Sequence, residues 1–337
     1  MRKLFLLLLV GCFTTWANAN VLTVNNSATS GGQYTSLQAA FDAAAVGDTI
    51  YVHGSPDSYG SATIKKRLVV IGAGYAPQGT QFNWPSSVGS IYIDSVTTTI
   101  PVNPVSKSKL IGLQIEGSVY CSDQNINDVL VDRCMVTSYI AVYGKNWIIR
   151  NSLVNLIYVY NYPSCLIVNN IINSIYNSNK SSVLISNNIL VTGNYSSISY
   201  AILTNNIFWS TTPLTGFEYC TFNNNVTYAL TAQVLPYGTN TGGNNLNVDP
   251  QFVSTNIPTS NISAATMPNY NWNVGGASPC KNAGTDGTDI GIYGGGYPMA
   301  NLTGTYKIPQ ITEMNIQNAV LPLNGTLTVK FKARKQD

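Results

Sequence analysis

Charge is scarce in this chain. Only 9% of its 337 residues are Asp, Glu, Lys or Arg, against about 25% in an ordinary globular domain, so the polar surface must be mostly Ser, Thr, Asn and Gly. The 17 basic and 14 acidic residues nearly cancel, and without Arg2 and Lys3 the formal charge is +1. That excludes the basic footprint of a nucleic-acid binder and names no electrostatic partner. Histidine occurs once, as His53, and the six cysteines form no Cys-x-x-Cys pair, so the usual zinc patterns are absent. No apolar run reaches the roughly 18 residues of a membrane-spanning helix. The 45% hydrophobic content nevertheless argues against disorder and supplies a core.

The first thing present is an address. Residues 1–19 have a basic start (Arg2, Lys3), an apolar stretch from Leu4 to Phe13 and the ending Ala17-Asn18-Ala19, which together read as a secretory signal peptide. Export is expected, to the medium or the outer surface of a bacterial cell. A competing reading takes Leu9-Val10-Gly11-Cys12 as a lipoprotein box with Cys12 lipidated. Cys121, Cys134, Cys165, Cys220 and Cys280 remain after the leader. Their spacings make no compact disulfide framework, and they read as small buried apolar side chains.

The strongest signal is internal repetition. Val129–Val136, Trp147–Val154, Leu166–Asn173, Leu184–Val191, Ile202–Trp209 and Cys220–Thr227 align, each with a central polar pair whose second members are Arg133, Asn151, Asn170, Asn188, Asn206 and Asn224. These recur at steps of 18, 19, 18, 18 and 18. Leu130, Ile148, Ile167, Ile185, Leu203 and Thr221 precede the pair, and Met135, Leu153, Ile172, Leu190, Phe208 and Val226 follow it; these columns are the expected core. The apolar segments are too short for helices and no helix separates the repeats, so each repeat reads as one coil of a parallel sheet. The expectation is an all-β fold, a single-stranded parallel β-helix. Asparagine suits its bends because it tolerates the left-handed region. Stacked about 4.8 Å apart on successive coils, asparagine amides can also hydrogen-bond along the axis. Asp132 falls one coil from Arg150, within reach of an ion pair.

The rhythm extends upstream through Ile50–Val52, Leu68–Ile71, Ile91–Ile93 and Leu110–Leu113, and fades near Asn244–Val248; ten to twelve coils are expected. A sheet that is open at its ends needs covers. Thr35 or Ser36 can cap a short helix with Leu37, Ala40, Phe41 and Ala44 on one face, ending at Gly47. Near the other end Leu327, Val329 and Phe331 alternate with Thr328, Lys330 and Lys332 after Asn324-Gly325, an edge strand guarded by lysine. The division expected is a leader at 1–19, a β-helix at 20–300 and a C-terminal strand, cap or attachment segment at 301–337.

Tyr34–Val52, Leu68–Gly74, the asparagine-rich coils, Asp249-Pro-Gln-Phe252, Ser278–Gly284 and Asp289–Gly295 resemble the pectin-lyase-like right-handed parallel β-helix proteins of secreted bacterial origin. The resemblance covers most of residues 20–297 and implies a right-handed coil. A period near 18 also suits left-handed coils of three hexapeptides, but their small and aliphatic residue in every hexad is not sustained here. The family hosts lyases, hydrolases, adhesins and proteins without demonstrated activity, so the likeness leaves function open.

Members that cleave acidic polysaccharides use carboxylates to hold calcium with an Arg or Lys as base, and hydrolytic members use clustered Asp residues with a His. Asp123, Asp128 and Asp132 lie close together with Arg133, Lys145 and Arg150 near them. Asp123, Asp128 and Lys145 are therefore the candidates for chemistry, against the plainer reading of a solvated or ion-paired patch. His53 reads as a turn histidine. Asp286 and Asp289 are weak calcium candidates in a tight turn, the only metal the sequence raises. Tyr120, Tyr139, Tyr158, Tyr176 and Tyr195 step by 19, 19, 18 and 19, which stacks them in one column. As a ladder they support the fold by about 0.5 to 1.5 kcal/mol per adjacent pair. Facing outward, Tyr139, Tyr158, Tyr176 and Tyr195 would form a strip for sugar rings, neutral ones in preference to polygalacturonate. The expected function is a secreted polysaccharide-binding protein or cell-surface adhesin without strong catalysis. The alternatives are a polysaccharide lyase or glycoside hydrolase, or a purely structural surface rod.

Overall fold

A computed structural model describes residues 19–27, 31–75, 84–94, 104–160, 164–177, 183–228, 234–260, 262–300, 302, 310–316 and 329–334. The leader, Cys12 and the turn at Asn324-Gly325 lie outside the described residues. The chain winds into an all-β parallel solenoid with one short α-helix. Among the described residues, eleven parallel strands stack into a first sheet, from Val21–Val24 at one end to Thr241–Gly243 at the other. A second sheet is bent within its longer strands. The first part of Met135–Val142 pairs with Gln114–Ile115 and its second part with Val119, and the register shifts between Val136 and Tyr139. Each central coil therefore has three faces: a first-sheet strand and the two halves of a second-sheet strand.

Alternation along the first-sheet strands sends Val131, Ile149, Ile167, Ile185, Leu203 and Phe222 into the core, where each is at most 1% exposed. Their neighbours Leu130, Ile148, Leu166, Leu184, Ile202 and Thr221 form the outward column, in continuous register. The core column expected from sequence thus mixes the two sides: Ile167, Ile185 and Leu203 point in, whereas Leu130, Ile148 and Thr221 lie on the outward column. The same one-residue slip affects the polar pairs. Arg133, Asn151, Asn169, Asn187, Asn205 and Asn224 form one bend column, all at φ between 52° and 57°. The next residues, Cys134, Ser152, Asn170, Asn188, Asn206 and Asn225, form a second column that is buried. Two adjacent asparagines look alike in sequence, and only the backbone conformation separates them.

The inner column is a hydrogen-bond ladder. Asn170, Asn188 and Asn206 donate their backbone N–H groups to the side-chain oxygens of Asn188, Asn206 and Asn225 at 2.9, 2.9 and 3.0 Å. Asn225 continues the ladder to Asn245 at 3.0 Å. The amide nitrogens of Asn170, Asn188 and Asn206 donate to the carbonyls of Ile149, Ile167 and Ile185, each at 2.8 Å. The polar atoms of a buried bend are thereby paired, which offsets the several kcal/mol that burying them bare would cost.

The solenoid has about nine turns. Ile91–Ile93 belongs to the second sheet, on the same coil as Val69–Gly72, and opens no coil of its own. The amino-terminal cover is the helix Leu37–Ala43, capped by Ser36, whose hydroxyl accepts from the Ala39 N–H. Leu37, Ala40 and Phe41 are its buried face. All five described cysteines are buried and free. Near the C-terminus, Gln310–Ile316 and Val329–Arg334 form an antiparallel pair.

Residues 249–300 fold back along the solenoid instead of winding on. One flank of the second sheet presents Met135, Leu153, Ile171, Ile189, Ile207 and Val226 outward, and Phe252, Ile262, Met267, Trp272, Ile290 and Ile292 cover it. Both sides of these strands are therefore buried, which explains the unbroken apolar runs Ile189-Leu190-Val191 and Ile207-Phe208-Trp209. The outer asparagines hold this strap. Asn224 donates to Ala283 O at 2.9 Å, Asn205 to the Thr285 hydroxyl at 3.1 Å, and Asn169 to Ile292 O and Gly294 O at 2.8 and 2.7 Å. The strap doubles back on itself, with Phe252 antiparallel to Val274, and its segment from Ala283 to Gly294 then runs against the direction of winding, meeting one outer asparagine on each coil it passes.

Candidate functional site

The third face of the coil carries the tyrosine strip. Tyr92, Tyr120, Tyr139, Tyr158 and Tyr176 make successive ring contacts with centroids 6.2, 6.5, 5.5 and 5.5 Å apart. The first three contacts are edge-to-face and the last is stacked. Strand alternation brings them out: Tyr120 sits between buried Val119 and Cys121, and Tyr158 between buried Ile157 and Val159. The end rings Tyr92 and Tyr176 are exposed, and the three between them are half-buried by their neighbours. The strands that carry Tyr120, Tyr139, Tyr158 and Tyr176 contain no charged residue.

Tyr195 does not join them. A register shift after Ile172 pairs Ile175 with Tyr195 and Tyr176 with Ser196, so Tyr195 turns inward and packs on Phe208 and Phe217 at 6.0 and 5.3 Å. It is 4% exposed. Counting residues preserved the spacing, but the extra residues of Ile189–Ser196 moved the ring to the other side of the strand. Besides Tyr92, two further tyrosines absent from the expected column join the strip, Tyr143 and Tyr160. Tyr160 stacks on Tyr158 and Tyr143 at 5.7 and 4.2 Å. Burial raises the Tyr143 hydroxyl above the usual phenol range, neighbouring Tyr120, Cys121 and Tyr139 add to this, and a hydrogen bond with Tyr160 opposes it. Both follow a strand's last buried valine, at the bend, where strand periodicity no longer applies.

The acidic candidates and Lys145 lie at this same bend, on the links from Cys121 to Leu130 and from Val142 to Trp147. Asp123 accepts from the N–H and the side-chain amide of Asn125 at 2.8 and 3.0 Å. Asp128, at φ 60°, accepts from the Asn146 amide at 3.1 Å. Lys145 is exposed, and its backbone N–H donates to the side chain of Asn127 at 2.7 Å. These groups stabilise turns and the stacking of adjacent coils. Asp132 and Arg150 do meet, at 3.0 Å, with the carboxylate buried, and Arg150 also lies under the Tyr297 ring at 4.7 Å.

Asp286 accepts from the backbone N–H and hydroxyl of Thr288, the hydroxyl at 2.7 Å, and this pair of bonds holds its carboxyl below the usual range. Asp289 pairs with Lys281 at 2.7 Å and accepts from the Asn282 N–H at 3.0 Å. Among the described residues no three His, Cys, Asp or Glu side chains converge on a metal position. His53 packs edge-on against Tyr51 at 4.9 Å, and burial lowers its pKa. Among the described residues no helix is long and apolar enough to cross a membrane.

No protein-family model matches the chain, and no curated protein matches it.

Proposed function

We propose that this is an exported β-helix protein that binds a neutral polysaccharide through its tyrosine strip, as a surface adhesin or glycan-anchoring module. The observation that carries the reading is the unbroken series of ring contacts from Tyr92 to Tyr176 along the stacking direction. Such a strip offers a polymer several like aromatic surfaces in a row, each apolar on its face and hydrogen-bonding at its hydroxyl. The uncharged strands beneath it suit a neutral chain, since a polyuronate calls for a basic cleft. The leader and the resemblance to pectin-lyase-like β-helices support an exported, carbohydrate-directed role. Binding without cleavage is favoured because the carboxylates of Asp123 and Asp128 are engaged by turn donors.

Native electrophoresis through gels containing a glucan, a xylan, a mannan or polygalacturonate tests the reading. Retardation by a neutral polysaccharide, clearly weakened in Tyr158→Ala/Tyr176→Ala with an unchanged circular dichroism spectrum, is the expected result. Retardation undiminished by the double substitution, or none in any neutral gel, refutes it. Release of new sugar ends during the run would move the protein to the enzymes.

A further inference from the structure

A second aromatic feature lies off the strip, at the bend that enters the first sheet. The residue two places before the outward position of a first-sheet strand is left-handed in Lys107, Asp128, Asn146, Tyr200 and Tyr219, at φ 67°, 60°, 59°, 59° and 55°. Asp and Asn tolerate that conformation, whereas a bulky side chain is disfavoured there. On two adjacent coils the chain nevertheless places tyrosine. Their rings stack at 5.3 Å with planes 12° apart, a contact that offsets only part of the backbone cost. Both remain exposed, Tyr200 at 44% and Tyr219 at 53%. Beside them the outward column presents Leu184 and Ile202, exposed at 40% and 49%. Strained backbone that yields an exposed aromatic pair, where earlier coils use polar residues, marks a functional position.

We propose that Tyr200 and Tyr219 form a docking platform for a neutral sugar ring, separate from the strip and independent of it. Charge selects the ligand class. Glu218 adjoins Tyr219 in the chain, is exposed, and its backbone carbonyl accepts the Tyr200 N–H at 3.2 Å. Its carboxylate disfavours a uronate and offers an acceptor to sugar hydroxyls beside the aromatic surface.

The test is titration calorimetry of the full chain with gluco-, xylo- and manno-hexaose, comparing the parent with Tyr200→Asn/Tyr219→Asn, with Tyr158→Ala/Tyr176→Ala and with the variant that combines all four substitutions. Asparagine is chosen because Asn146 already occupies this bend position. The proposal expects the asparagine variant to keep or raise the melting temperature while its affinity for a hexaose that the parent binds falls at least tenfold. It also expects that loss when the strip is already disabled, so failure of the strip alone leaves this site standing. A lowered melting temperature would make the pair a structural stack and overturn the proposal. So would unchanged affinity in the asparagine variant, or a parent that binds none of the three hexaoses.

Discussion

Asn187 and Asn188 are neighbours in the chain and work in opposite directions. Asn187, at φ 55°, reaches outward, its amide 3.4 Å from the carbonyls of Asp289 and Gly291 in the strap. Asn188 reaches inward, accepting the Asn170 N–H at 2.9 Å and donating to Ile167 O at 2.8 Å. One residue turns the coil and touches the cover; the other completes the bonding of the buried bend. The pair recurs as Asn169-Asn170 and Asn205-Asn206, so the distinction is a property of the repeat.

The two columns should respond differently to substitution. Asn188→Ala strands the Asn170 N–H and removes the amide donor to the Ile167 and Ser186 carbonyls, the second of which keeps the Asn169 N–H, and should cost about 3 kcal/mol, since a buried group left unpaired forfeits about 1–3 kcal/mol. Asn187→Gly keeps the left-handed bend and loses two 3.4 Å contacts and the 2.8 Å bond from the part-buried Ser186 hydroxyl, so about 1 kcal/mol is expected. Urea denaturation of both variants measures the difference.

Gly291 has φ 98°, and a Cβ there would sit 2.9 Å from the Ile207 Cδ1 atom. Gly291→Ala should destabilise the strap by about 1–3 kcal/mol through backbone strain and overpacking. Faster proteolytic cleavage within residues 249–300, with little change in the solenoid's own resistance, is the expected pattern.

Burial pushes the Cys121, Cys134 and Cys165 thiols up to about 12, and Cys280 to about 11. In the unfolded chain they return toward the ordinary value of 9.0. Folding therefore favours the protonated thiol, and its stabilising effect is complete below about pH 9 and declines as pH rises toward 11–12. The urea midpoint should fall with pH across that window, through this contribution. At pH 8 the native protein should react with a thiol reagent far more slowly than the unfolded one.

Arg150 joins the solenoid to the strap, meeting Asp132 at 3.0 Å and Tyr297 at 4.7 Å. Arg150→Leu leaves the Asp132 carboxylate buried, with Arg133 at 3.8 Å as its remaining cation. A loss of about 2 kcal/mol is expected, below the 3–5 kcal/mol of a fully buried broken pair. The double substitution Arg150→Leu/Asp132→Leu should recover part of it, and thermal melts of the two variants test this.

The solenoid was legible because a coil must repeat its inward side chains at the coil length, and Ile167, Ile185 and Leu203 do so. The amino-terminal helix was equally legible: Ser36 and the spacing of Leu37, Ala40 and Phe41 need only local geometry. Of the candidate binding residues, Tyr158 and Tyr176 stand in register, as their spacing implied, whereas Tyr139 pairs with Leu156 and its ring reaches Tyr158 from two residues out of register. Tyr195 does not join them, because the register shift after Ile172 reverses its side. Tyr143 and Tyr160 could not be assigned to the strip from strand alternation, since both lie at a bend.

Local preferences and periodicity thus determined, from sequence alone, that the chain is a stack of parallel coils with asparagine at its bends. Tertiary structure decided which member of each asparagine pair faces inward, since the two differ only in backbone dihedrals and in partners on other coils. It also decided that residues 249–300 cover the apolar flank from Met135 to Val226. That contact joins segments far apart in sequence, and its strap follows no repeat from which a partner could be inferred.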